Sequence, residues 1–267
     1  MHSVPAPLVD FGKLVTRLGS ASWVHFLLGA AAAWFFFYVL RRKHWLSRKI
    51  IPGFPASSQM AREFGLSTLT CVIYGVVGWL CWIAVNKGWT HMYFQIGAHG
   101  WTWFVLSIAL TVVIHDTYFY WTHRLMHLPK LFPWMHRMHH RSRNPTPWAA
   151  YAFDPLEAFV HACILPIAIF LYPIHPLAFL IFMAWQVWFN VIGHSGFEVA
   201  PPWLMDSWLG KFWNTSTNHA MHHQHFKSNY GLYFNVWDRL MGTNHRRYEE
   251  RFREVTAEPN VVSRPRP

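Results

Sequence analysis

The chain has 267 residues, of which 53% are hydrophobic, 18% aromatic and only 13% charged. Soluble globular chains carry about 25% charged residues, so this composition excludes an ordinary soluble domain. The formal net charge of +11 is explained below by membrane topology and calls for no nucleic-acid partner.

In chain order, the N-terminal stretch MHSVPAPLVDFGKLVTRLGSAS lacks the short apolar core and small-residue cleavage site of a secretory signal. Trp23–Leu40 is almost wholly apolar, and a helix of that length rises roughly 27 Å, close to the hydrocarbon thickness of a bilayer. Leu66–Val85 is a second span, and Trp101–Trp121 a third that carries His115 and Asp116 in its final turns. The apolar run Ala158–Ile192 would be about 50 Å long as one helix. It is interrupted by YPIHP at 172–176, whose prolines remove helix donors and restrict their neighbours. A helical hairpin over 158–192, crossing or re-entrant, returns the chain to the side it left. Segments 122–155 and 194–267 then share one face with loop 41–65. The charges agree: these three segments hold 20 of the 23 Lys and Arg residues, leaving Lys13, Arg17 and Lys87 for the opposite face. Positive charge concentrates on the cytoplasmic side of membrane proteins, so that face reads as cytoplasmic. The expected fold is all-α: a polytopic membrane helical bundle with a cytoplasmic helical cap. Membrane helices fill 1–100 and a histidine-rich catalytic domain 101–245, with 246–267, ending in EPNVVSRPRP, as a polar C-terminal tail. Cys71, Cys81 and Cys163 all fall within apolar runs and read as small buried hydrophobes.

Histidine stands out, with 19 copies. His2, His44, His91, His99 and His245 are scattered singly and read as surface or satisfied residues. His25, His161 and His175 lie in or between apolar runs, where hydrogen-bonding roles suit them. Eight others form three clusters on the cytoplasmic face. His123 and His127 are spaced i, i+4; His136, His139 and His140, and again His219, His222 and His223, are spaced i, i+3, i+4. On helices these spacings bring the rings to one face, where metal can be held between helices. Imidazole suits zinc, copper, iron and nickel. A single zinc takes only four ligands, zinc hydrolysis usually needs a carboxylate base such as that of HExxH, and no cluster contains Glu. Soluble di-iron bundles use bridging carboxylates, which are also missing from the clusters. Two irons held by histidine use every cluster.

The motifs HRLMH (123–127), HRMHH (136–140) and HAMHH (219–223) resemble, in order and spacing, the HxxxH, HxxHH and HxxHH boxes of the fatty acid hydroxylase / sterol desaturase superfamily. The flanking HDTYFYWTHRLMH, NVIGHSGFE (190–198) and NYGLYFNVWDRLMGT (229–243) agree, so the likeness spans roughly residues 110–245. The resemblance implies that the eight box histidines bind two iron ions and that His194 is a further ligand. His115, two helical turns before His123, and His225, two residues past His223, are additional candidates. Asp116 is a candidate to orient a ligand imidazole. Asp238 and Arg239 are expected to pair and pin the segment after the third box, with Asn229-Tyr230-Gly231 forming a turn.

The resemblance implies an oxygen-dependent oxidoreductase that hydroxylates or desaturates an unactivated C–H bond of a bilayer lipid (fatty acyl, sphingolipid or sterol), with hydroxylation slightly favoured. O2 is the co-substrate, and two electrons come from outside. No flavin or nicotinamide fingerprint and no CxxCH occurs in the chain, so a ferredoxin-like or b5-type cytochrome donor with its reductase is expected on the basic face. Trp101, Trp103, Phe119, Trp121, Trp185 and Trp188 could line a lipid slot or face lipid. A metal transporter would place polar groups along the spans, and a zinc-dependent hydrolase would work without oxygen; both fit the clusters less well. A bacterial inner membrane is the expected location, with the endoplasmic reticulum as alternative.

Overall fold

The computed structural model describes residues 11–257. His2 and the segment EPNVVSRPRP lie outside the described residues, as does the side chain of Lys13. The architecture is helical, and among the described residues only isolated bridges and no β-strand occur. Helix α1 (Phe11–Trp34) runs on into a π-helical turn, Phe35–Leu40. Then come α2 (Ser57–Asn86), α3 (Gly100–Met126), α4 (Pro155–Ala162), α5 (Ile164–Leu171), α6 (Pro176–Gly193), α7 (Ser216–His225) and α8 (Tyr248–Thr256). Four stretches are long and apolar enough to cross a membrane: Gly19–Leu40, α2, α3 and α6. The protein is integral to a membrane.

Small residues let the spans approach closely, as membrane packing favours. Ala30 and Ala33 of α1 are buried, and a Cβ added at Gly29 would touch Val187 and Val191 of α6. One at Gly19 would meet the Cys71 carbonyl of α2 at 3.1 Å. Cys71 and Cys81 are buried free thiols.

The two ends of the bundle are distinct. At one end, loop 41–56 interlocks with the strip after α6. Ile50 N donates to Gly196 O, and Arg48 donates to the carbonyls of Glu198 and Ala200. Lys49 Nζ reaches Asn144 at 2.8 Å, so loop 41–56, segment 122–155 and the chain beyond 194 meet there. At the other end, the turn between α5 and α6 meets the loop between α2 and α3: His91 N donates to Ile169 O and Tyr93 N to Ile174 O. The hairpin therefore reaches the far end of the bundle. Its first arm breaks at Cys163 between α4 and α5, because Pro166 has no N–H to offer Ala162 O.

The segment 246–267, expected to be a polar tail, begins instead with a packed helix. Tyr248, Phe252 and Val255 fall on one face of α8 at helical spacing and are buried, the first two completely; Tyr248 and Phe252 pack with Met205 and Met221, and Val255 with Ile50 and Ala220. Charged residues alternating with that stripe disguise it in the composition.

Candidate metal centre

Each histidine box is positioned by a different local device. His123 sits in the last full turn of α3, and His127 caps its C-terminus. The third box lies on α7, which ends at Phe226 in the left-handed conformation (φ 64°). The second box departs from expectation. It is not an α-helix: His136 follows a one-turn helix, Phe132–Met135, and His139 and His140 lie in a 3-10 turn. Two i→i+4 bonds, His140 N to His136 O at 3.3 Å and Arg141 N to Arg137 O at 3.2 Å, run beside i→i+3 bonds from Arg141 N to Met138 O and Ser142 N to His139 O. Two features fix this tighter path. Pro129 follows the end of α3 and Pro133 opens the one-turn helix at its first turn, and the Asp154 carboxylate accepts from the N–H groups of Met138 and His139. His194 occupies the C-cap of α6.

Nine imidazoles converge in two groups, within each of which the ligand nitrogens lie within 4.8 Å of one another. His123, His127, His136, His140 and His222 form the first; His139, His194, His219 and His223 form the second. Each HxxHH box is thus divided. Its i, i+4 pair serves one group and its i+3 member the other, so both centres are tied to the same short segments.

The donor chemistry tests whether metal fits. His123, His139, His194 and His222 each direct Nδ1 at a backbone carbonyl: those of Tyr230 (2.8 Å), Ala152 (3.3 Å), Asn190 (2.8 Å) and Ser228 (2.7 Å). A carbonyl only accepts, so Nδ1 carries the proton and Nε2 keeps a lone pair. The Nε2 atoms face one another: His123–His136 at 2.9 Å, His127–His222 at 3.1 Å and His140–His222 at 3.0 Å. In the second group His219–His194 is 2.8 Å and His223–His219 is 3.1 Å. Lone pairs so opposed repel unless a cation lies between them, and neighbouring nitrogens bound at about 2.1 Å to one ion lie roughly 3 Å apart. Burial first, and the neighbouring imidazoles second, push His136, His140, His219 and His223 well below the ordinary histidine range. Burial likewise lowers His194 and His222 to about 4. The rings are held neutral, as ligation requires. The site fits metal, and its all-nitrogen donor set suits a first-row transition metal such as zinc, copper, iron or nickel.

His115 joins neither group; its Nδ1 meets the Tyr233 hydroxyl at 2.9 Å. Asp116 touches no ligand imidazole and instead accepts from the backbone N–H groups of Tyr233 and Phe234. His225 is exposed and stacks on His245. Asp238 and Arg239 do not pair: Arg239 binds Glu249, while Asp238 accepts from Tyr230 N, Gly231 N and Thr243 Oγ1. That carboxylate shapes the turn at Asn229 (φ 60°), which presents the Ser228 and Tyr230 carbonyls to His222 and His123.

Three carboxylates escaped the sequence reading. Glu157, 1% exposed, stands 2.7 Å from His136 Nδ1; it belongs to the capping box of α4 formed with Asp154. The run Asp154-Pro155-Leu156-Glu157 is a legible N-terminal signature that would have flagged both. Glu198 is fully buried and accepts from Thr217 N, fixing the start of α7. No comparable motif announces Glu198.

Beneath the histidines lies a cavity of about 210 Å³, largely apolar, lined by residues of α1 to α6 and by Tyr151 and Phe153. Its upper end is formed by Phe119, Phe153 and His161. The ring of Phe119 lies 5.0 Å from His123 and that of Phe153 5.5 Å from His139. Of the aromatics proposed from sequence for such a slot, Phe119 lines it, whereas Trp101, Trp121, Trp185 and Trp188 are exposed.

The family profile described as fatty acid hydroxylase matches residues 108–243. A Delta(7)-sterol 5(6)-desaturase of Gibberella zeae is 29% identical over 82% of this chain and 64% of its own length. A second Delta(7)-sterol 5(6)-desaturase, from Aspergillus fumigatus, is 29% identical over 86% of this chain and 74% of its own. Lathosterol oxidase of Mus musculus is 29% identical over 86% of this chain and 73% of its own. The chain thus spans just under two thirds of the first of these relatives. No solved structure matches the chain significantly.

Proposed function

The chain belongs to the fatty acid hydroxylase family, and from that premise we propose that its nine histidines hold two iron ions and that it oxidises an unactivated C–H bond of a membrane lipid with O2. The observation that carries this reading is the facing Nε2 lone pairs of two adjacent, buried imidazole groups. Two irons bound there would supply oxygen activation and the oxidising equivalents for C–H cleavage.

The protein's own part is positioning and exclusion. Carbonyls of Tyr230, Ala152, Asn190 and Ser228 hold four rings in the ligating tautomer, and Glu157 holds His136. Phe119 and Phe153 separate the cavity from the imidazoles by one layer of ring, keeping water from the reacting carbon while bringing lipid close. For desaturation, one O2, two protons and two electrons remove two hydrogens and give two waters; for hydroxylation they give one alcohol and one water. The names of the relatives support desaturation of a sterol-type lipid, whereas the family's description supports hydroxylation. The electrons come from a separate ferredoxin-like or b5-type carrier, and the basic histidine end lies on the cytoplasmic side.

Lipid extracts of cells with and without the gene, compared by mass spectrometry, test the reaction. Products lacking two hydrogens are expected, products gaining one oxygen support the second reading, and identical extracts contradict both.

A further inference from the structure

Part of the histidine cap runs down beside the spans. Trp237 Nε1 donates to Thr117 Oγ1 at 3.1 Å, and its ring lies 5.5 Å from that of Trp121. Thr117 lies about 14 Å below the end of α3 at Met126. Trp213 packs on α6, its ring 5.7 Å from Phe189 and 6.0 Å from Trp185. Those two residues stand about 6 and 12 Å inside the histidine end of α6. The 18 residues of α6 rise about 27 Å, close to the hydrocarbon thickness of a bilayer. Trp213 and Trp237 are therefore held at membrane depth, although neither belongs to a span.

The two tryptophans belong to segments that are tied together. Asn214 N donates to Tyr233 O, Asn235 N to Phe212 O and Arg239 Nε to Lys211 O. Phe212 N, Trp213 N and Met241 N are satisfied by Leu209 O, Gly210 O and Trp237 O. Irregular backbone at this depth is tolerated only where its polar groups find partners in the protein. The side chains behave oppositely. Leu209 is 69% and Leu240 67% exposed, and Phe212, Val236 and Met241 are exposed beside them. Trp121 and Trp185, on the outer faces of α3 and α6, are exposed as well, so the apolar surface is continuous with that of the spans. Charge stays at its rim: Arg239 pairs with Glu249, and exposed Lys211 has a stem long enough to reach the headgroups.

We propose that segments 209–213 and 236–241 form an interfacial anchor, seated beside α3 and α6 in the boundary between headgroups and acyl chains of the histidine-side leaflet. Apolar side chains inserted to this shallow depth, with basic residues at the rim, are the pattern of membrane-surface segments, and tryptophan favours the same level. The anchor bears on the cavity through Tyr233, between its two arms. Tyr233 N donates to Asp116, and its hydroxyl meets His115 in the cavity wall. Contact with the leaflet thus braces that wall from outside. The proposal is independent of the metal and of the reaction.

The test is nitroxide accessibility on the full chain in phosphatidylcholine–phosphatidylglycerol vesicles. Labels are carried by Leu209→Cys and Leu240→Cys, with Glu254→Cys on the charged face of α8 as the water-exposed reference and Cys71, Cys81 and Cys163 replaced by alanine. At both apolar positions, collisions with O2 should exceed those with a water-soluble nickel chelate several-fold relative to the reference. Water-like accessibility at either position, or shielding from both reagents by a second copy of the chain, would overturn the proposal. The unmodified protein supplies a second measurement. A phospholipid with a photoreactive acyl chain should cross-link to peptides containing 209–213 and 236–241, and cross-linking confined to the spans would overturn the proposal.

Discussion

At the residue scale, the nine imidazoles meet through Nε2 in two groups, and for five of them a backbone carbonyl or Glu157 engages Nδ1. Truncating a member of the four-histidine group leaves three ligands, so His139→Ala should abolish turnover and lower bound iron; unchanged iron and turnover would refute the assignment. Glu157→Gln keeps the shape of the side chain but loses the charge beside His136. Removing a carboxylate that orients a metal-bound histidine typically costs 10–100-fold in metal affinity or activity, which a chelator competition series would read. Eight of the nine histidines stood out in the sequence by their i, i+3 and i+4 spacing, whereas His194, alone in GHSG, was reached only through the family resemblance. Glu157 was less legible, since its role depends on a capping box that brings α4 beneath a box twenty residues earlier. The roles expected of Asp116 and of an Asp238–Arg239 pair failed for one reason: buried carboxylates satisfy backbone N–H groups before they seek neighbours in sequence.

At the element scale, loops decide the geometry that the boxes only permit. Asp238 takes two backbone donors and a hydroxyl, and Asp238→Ala would strand them inside the protein. The expected loss is on the order of 2–4 kcal/mol, seen as a lower thermal midpoint of the metal-free protein as well as the loaded one; an unchanged midpoint would argue against this role. Asp154→Ala removes the α4 cap, worth about 0.5–2 kcal/mol, and frees the N–H groups of Met138 and His139. Its predicted signature is weaker iron retention with the spans intact by circular dichroism. The long spans and the hairpin break were legible because hydropathy and proline act locally. The second box was not, because its 3-10 turn is set by Asp154 from another element. The α8 helix was hidden by its charged face.

At the scale of the whole molecule, the even passage of the hairpin gathers three distant segments at one end. Loop 41–56 binds both Asn144 and the strip 196–200, so the cap is a joint product of the first, second and last thirds of the chain. Cysteines introduced at Trp208 and Trp89, both exposed, should label from opposite sides of a sealed membrane, the former from the cytoplasm; labelling from one side alone would contradict this topology. Periodicity and charge bias carried that arrangement in the sequence, whereas the division of ligands between two centres emerged only in three dimensions. The most direct test of the account is metal quantification on the purified protein alongside its turnover of lipid. About two irons per chain, with activity requiring oxygen and reductant and lost on chelation, is the predicted result. Zinc alone, with full activity in the absence of oxygen, would contradict it.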